Sequence, residues 1–264
     1  MEINPIYQAL LAGLFTFFIT CLGSSLVFFF KSVNKNIMDI MLSLSAGIMM
    51  AASFFSLLEP AIEISKELKL ITWLIVFLGF MLGGILLYIG DKFLNRLEKK
   101  GKKTISNLKG AIMLFSSITL HNIPEGLVLG VAYGAIIYEI NNATLISAIT
   151  LTIAIAIQNF PEGCAISIPL RRENISRFKS FIFGSISALV EPIFAVVGAL
   201  LVIKIQVFLP FILSLTAGAM IFVITMELIP ESQQNKRKDL MALFLMIGFS
   251  IMMILELILW FFYN

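Results

Sequence analysis

His121, Asn122 and Glu125 sit inside the hexapeptide His121-Asn122-Ile123-Pro124-Glu125-Gly126, and the pattern returns as Gln158-Asn159-Phe160-Pro161-Glu162-Gly163. On a helix turning about 100° per residue, the three polar side chains of each copy fall within about 100° of arc. Each copy therefore aims one carboxylate and two neutral polar groups in one direction, and Ser117 extends the first stripe by a turn. Glu191, beside Pro192, adds a third carboxylate, and Met49 a soft thioether. One imidazole, three carboxylates and several amide oxygens suit a borderline divalent ion such as Zn²⁺ and admit Fe²⁺, Mn²⁺ or Cd²⁺. An all-oxygen set would favour Mg²⁺ or Ca²⁺. Cys21 and Cys164 lie in apolar runs, so neither a disulfide framework nor a thiolate cage is expected, and an ion held here can leave.

Both hexapeptides are embedded in long apolar stretches. The 264 residues are 59% hydrophobic and 13% charged, with mean hydropathy +0.99. Soluble domains are about 45–50% apolar and about 25% charged, so the composition defines an all-α integral membrane protein. A polar or charged group at bilayer depth costs about 2.5–3.5 kcal/mol on insertion scales, so two such clusters need a function. Eight transmembrane helices are expected, near 6–30, 37–59, 70–90, 110–135, 143–169, 176–201, 206–229 and 239–262, as one transporter-type domain over residues 1–264. No cleavable leader is expected, because Glu2 stands where a basic segment would be and the first apolar run is long enough to remain as a helix.

Pro124 and Pro161 remove a helical hydrogen bond each and should free the carbonyls of Leu120 and Ile157. Gly126, Gly130 and Gly134 permit close backbone approach and are expected to draw the fourth and fifth spans together. Gly79 and Gly83 form a GxxxG pair that serves either a homodimer contact or internal packing. With eight spans both termini share one side, and sixteen of the nineteen Lys and Arg residues fall on the other. The positive-inside rule then puts both termini outside the cytoplasm, with the chain in the cell membrane. Seven of the sixteen lie between residues 91 and 109, in the longest connection. A weaker repeat links Ser45-Ala46-Gly47-Ile48-Met49 to Thr216-Ala217-Gly218-Ala219-Met220, each leading to a glutamate–proline pair. The two copies run in opposite directions, as in inverted-repeat transporters, with spans 1–3 matching 6–8 around a central pair, a 3+2+3 arrangement.

At these residues the chain resembles the ZIP (Zrt/Irt-like) family of divalent-metal transporters, in its bacterial branch with HNxPEG, QNxPEG and a Glu-Pro pair. The resemblance implies a binuclear intramembrane site through which metal enters the cytoplasm. It implies one metal position at His121, Glu125, Gln158, Glu162 and Met49, and a second at Asn122, Glu125, Asn159, Glu162 and Glu191, the glutamates bridging. Glu227, in Met226-Glu227-Leu228-Ile229-Pro230-Glu231, matches a position lining the cytoplasmic exit. The resemblance also implies rocking of spans 1, 4, 5 and 6 against 2, 3, 7 and 8.

With a single histidine the chain has no HExxH-type centre, and no enzyme is expected. A proton-coupled carrier or channel for a non-metal solute, with the carboxylates as relays, is the alternative reading. The expected partners are divalent metal ions and the lipid bilayer, with a homodimer as an option and no nucleic acid.

Overall fold

The computed structural model describes residues 4–29, 35–100, 109–137, 144–172, 175–205 and 207–263. Every regular element among them is helical. Helix α1 spans Pro5–Ser25 and ends in a 3₁₀ turn, Leu26–Phe28. Asn4 caps it, its side-chain oxygen accepting from the Ile6 amide at 3.0 Å, and Pro5 fills the first turn, where no backbone donor is needed. The second span is α2 (Lys35–Ala52), a π-helical turn over Ser53–Leu58, and α3 (Glu59–Glu67). Next come α4 (Thr72–Lys100), α5 (Lys109–Ile137) and α6 (Leu145–Arg172). The sixth span is α7 (Arg177–Ile186) and α8 (Val190–Ile205). The seventh is α9 (Leu209–Val223), a second π-helical turn over Ile224–Leu228, and α10 (Ile229–Ser232), and α11 (Lys238–Tyr263) closes the chain.

Seven helical stretches among the described residues are long and apolar enough to cross a bilayer. The expected fourth span falls on α5, a 29-residue helix with several side chains, those of Ser117 and His121 among them, outside the described residues. Two expected ends shift. The second span does not stop at Glu59 but continues to Glu67, because Pro60 falls in the first turn of α3, where a proline is tolerated. The third runs to Lys100 rather than residue 90, its last turns leaving the apolar segment Thr72–Phe93 as a charged extension. Helices α5 and α6 continue through Pro124 and Pro161.

The helices pack in pairs. Helix α1 lies along α6, α5 along α8, α2 along α11 and α4 along α9. Exchanging the first three spans for the last three, and α5 for α6, maps this set of pairs onto itself. The glycines show the same symmetry. A Cβ on Gly83 would stand 1.9 Å from the Leu215 carbonyl oxygen, and one on Gly218 1.9 Å from that of Phe80. On the other flank, a Cβ on Gly47 would stand 2.0 Å from the Leu245 oxygen, and one on Gly248 2.2 Å from that of Leu44. Gly79 and Gly83 thus serve internal packing of α4 on α9. The π-helical turns agree too, beginning at Ser53 and Ile224, six residues past Gly47 and Gly218 respectively. Hydroxyls quench carbonyls of the preceding turn, Ser53 Oγ donating to Met49 O and Thr225 Oγ1 to Ile221 O, both at 2.8 Å.

The expectation for Gly126, Gly130 and Gly134 is corrected. They face α8, not α6: the nearest obstacles to added methyls are the backbones of Glu191, Ala195 and Ala199. Gly163 on α6 meets α1 in the same manner, 2.1 Å from the Thr20 oxygen. Each hexapeptide glycine therefore presses its own helix against a flanking helix, while the polar face of the motif is turned elsewhere.

Candidate metal centre

The turn joining α7 to α8 sets the third carboxylate. Pro192 has no N–H, so the carbonyl of Ala188 is left without its α-helical donor. The Glu191 amide takes it, at 3.0 Å, instead of reaching back to Ser187. The Ser187 carbonyl is thereby released, and Asn122 Nδ2 on α5 donates to it at 3.2 Å. A break in a helix at membrane depth is tolerated where protein groups receive the freed backbone. This break also places Glu191 in the first turn of α8, where the helix dipole favours a negative charge.

The remaining residues interlock across three helices. Gln158 Nε2 on α6 donates to Glu125 Oε1 on α5 at 2.6 Å. Its neighbour Asn159 Nδ2 donates to Glu191 Oε2 on α8 at 2.7 Å. Glu162 follows Gln158 by one turn on the same face of α6. Asn122, Glu125, Gln158, Asn159, Glu162 and Glu191 are all fully buried.

The amides spend their donors on carboxylates and backbone, which leaves acceptors over. Asn122 Oδ1, Gln158 Oε1, Asn159 Oδ1 and Glu191 Oε1 are buried and have no hydrogen-bond partner among the described residues. An unsatisfied buried acceptor costs about 1–3 kcal/mol. These four, with the buried carboxylates of Glu125 and Glu162, make the cluster rich in oxygen acceptors among the described residues. No three His, Cys, Asp or Glu side chains among the described residues form a closed metal cage. Gln158 engages the Glu125 carboxylate and Asn159 that of Glu191.

No described hydrogen bond joins the other expected residues to this network. The side chain of His121 lies outside the described residues, and its backbone is in α5 one turn before Glu125. Met49 is fully buried in the apolar core that includes Leu42, Ala46 and Met220. Glu227 is half-buried in the second π-helical turn. Cys21 and Cys164 are free thiols, and the Cys164 thiol donates to the Gly23 carbonyl. Ser187 is a residue that motif reasoning passes over, because it contributes a carbonyl rather than a side chain. The signal for it was Pro192, which marks the helix boundary just ahead of it. Glu256, to which the motifs assign nothing, accepts a hydrogen bond from Ser56 Oγ in the first π-helical turn.

Long apolar helices around a buried carboxylate–amide cluster define a multi-pass helical membrane protein with a polar site sealed from lipid. The comparisons narrow the class. A family model described as ZIP Zinc transporter matches residues 96–256. The chain is similar to Zinc transporter ZIP11 of Xenopus tropicalis, 32% identical over 96% of this chain and 97% of that protein. It is also 32% identical to Zinc transporter ZIPB of Bordetella bronchiseptica, over 94% and 80% of the two chains. Zinc transporter ZupT of Clostridium perfringens is 30% identical over 95% of each. The chain belongs to the ZIP family, whose members are transporters rather than enzymes.

Proposed function

We propose that this chain carries Zn²⁺ from outside the cell into the cytoplasm through a binuclear site at the carboxylate–amide cluster. Glu125, Gln158 and Glu162, with His121 and Met49, make one metal position. Asn122, Asn159 and Glu191, sharing Glu125 and Glu162, make the other. The observation that carries the reading is the set of fully buried acceptors around paired carboxylates, with four oxygens lacking a hydrogen-bond donor among the described residues. Relatives named zinc transporters support zinc as the cargo. The mixed donor set extends the substrates to Fe²⁺, Mn²⁺ and Cd²⁺.

The amide nitrogens of Gln158 and Asn159 stand in for the ion while the carboxylates are without metal. An arriving cation takes their place on Glu125 and Glu191, and each amide turns its oxygen inward as a ligand. Helix α5 completes eight spans, and both termini then lie outside the cytoplasm, opposite the basic connections. Helices α1, α5, α6 and α7–α8 pack on one another, with α2–α3/α11 and α4/α9 as flanking pairs, which supports movement of the first group against the second. Glu227, at the inner end of the seventh span, receives the ion on the cytoplasmic side.

Calorimetric zinc titration of the purified chain tests the site. Wild type is expected to bind zinc, with binding lost in the double substitution Glu125→Gln and Glu162→Gln. Undiminished binding by a folded double variant contradicts the assignment.

A further inference from the structure

Helix α4 carries a stripe at four-residue spacing, Phe80, Gly84, Tyr88, Lys92 and Arg96. Residues four apart lie one above the other on a helix face. The first three line a groove of about 320 Å³ between α4 and α9, whose other wall includes Gly218, Ile221 and Phe222. Glycine keeps it open: a Cβ on Gly84 would meet nothing nearer than the Gly218 oxygen, at 3.8 Å. At the groove's end the Tyr88 ring lies 6.5 Å from that of Phe222, and Lys92 Nζ sits 4.4 Å over the Tyr88 ring. That cation–π contact holds the ammonium at the head of an apolar slot. Lys92 and Arg96 are both exposed, and the apolar span Thr72–Phe93 ends between them. Asp91 points about 100° around the helix from Lys92.

We infer that this groove is a binding site for an anionic phospholipid of the cytoplasmic leaflet, with an acyl chain along the Phe80–Gly84–Tyr88 floor and the phosphate on Lys92 and Arg96. The site joins an apolar slot in the inner half of the span to cationic side chains at the depth of the headgroups. Lys92 and Arg96 stand one turn apart on one face of α4, so two cations lie at the head of the groove. Basic pockets between helices on the cytoplasmic side recognise acidic headgroups, each basic residue near the surface being worth about fivefold in affinity. Assignment to the cytoplasmic leaflet rests on the orientation proposed above, while lipid binding by the purified chain is independent of orientation and of metal transport.

The test is native mass spectrometry of the full chain in detergent, delipidated and titrated with phosphatidylglycerol or phosphatidylcholine of identical acyl chains. Wild type is expected to retain phosphatidylglycerol at least fivefold better. The double substitution Lys92→Gln and Arg96→Gln, at exposed positions that leave the fold intact, is expected to equalise the two lipids. Gly84→Leu is expected to reduce retention of both by filling the groove, and free glycerol phosphate is expected not to displace the lipid. Equal retention of both lipids by wild type, or an unchanged preference in the double glutamine variant, overturns the proposal. Displacement by glycerol phosphate, or undiminished retention in folded Gly84→Leu, overturns the role of the groove.

Discussion

At the scale of single residues, the site is a matter of which atoms donate. Gln158 and Asn159 supply the N–H groups that meet Glu125 and Glu191, at 2.6 and 2.7 Å, while their oxygens stay buried. Gln158→Leu removes a donor to a carboxylate and a proposed ligand oxygen together. The bond belongs to the metal-free state, so loss of the oxygen decides the outcome, and zinc affinity is expected to fall about tenfold or more, read by competition with a fluorescent chelator. Asn122→Leu strands the Ser187 carbonyl and is expected to lower the unfolding midpoint in detergent as well as zinc uptake, whereas Asn122→Asp is expected to keep much of the zinc affinity. The identity of these residues was legible in the two hexapeptides and the Glu191-Pro192 pair. Their pairing was not, because helical periodicity says which face a side chain occupies and nothing about which neighbour lies opposite. Met49 shows the same limit: its sulfur chemistry is visible in the sequence, but its place among Leu42, Ala46 and Met220 is set by tertiary packing.

Helices explain where close approach is needed. Gly126, Gly130 and Gly134 looked like a bridge between α5 and α6, yet they seat α5 on α8, and the glycine face and the ligand face of α5 therefore differ. Gly130 is the tightest of the three, an added Cβ standing 2.0 Å from the Ala195 oxygen. Gly130→Leu is expected to push α8 away, carrying Glu191 with it, and to cost both thermal stability and zinc binding in the same preparation. A stability loss with zinc affinity unchanged would mean that α8 does not position the site. Pro192 acts through the backbone. Pro192→Ala restores the N–H, lets Ala188 and Ser187 recover α-helical bonds, and is expected to weaken the hold of Asn122, measured as reduced zinc affinity with little loss of helix by circular dichroism. Most span ends were readable to within a few residues, but the second and third helices run eight and ten residues past the expected ends. The π-helical turns and the Ser187–Leu189 break escaped such reading, because each is a local exchange of backbone partners inside an otherwise continuous apolar run.

For the whole molecule, the inverted repeat organises the fold. The weak motif match between the second and seventh spans becomes concrete in two reciprocal glycine contacts and two π-helical turns at equal offsets. If the flanks serve as a frame, Gly83→Val and Gly248→Val are expected to destabilise the protein by similar amounts while leaving zinc affinity at the central cluster nearly unchanged. Zinc bound only by the folded state is expected to raise the unfolding midpoint in proportion to the logarithm of its concentration. The most direct measurement is zinc influx into proteoliposomes with the wild type beside Glu162→Ala. The account predicts time-dependent zinc uptake by the wild type and none above empty liposomes in the variant. Uptake persisting in Glu162→Ala, or no uptake by a folded wild type, would contradict passage of metal through the buried carboxylate–amide cluster.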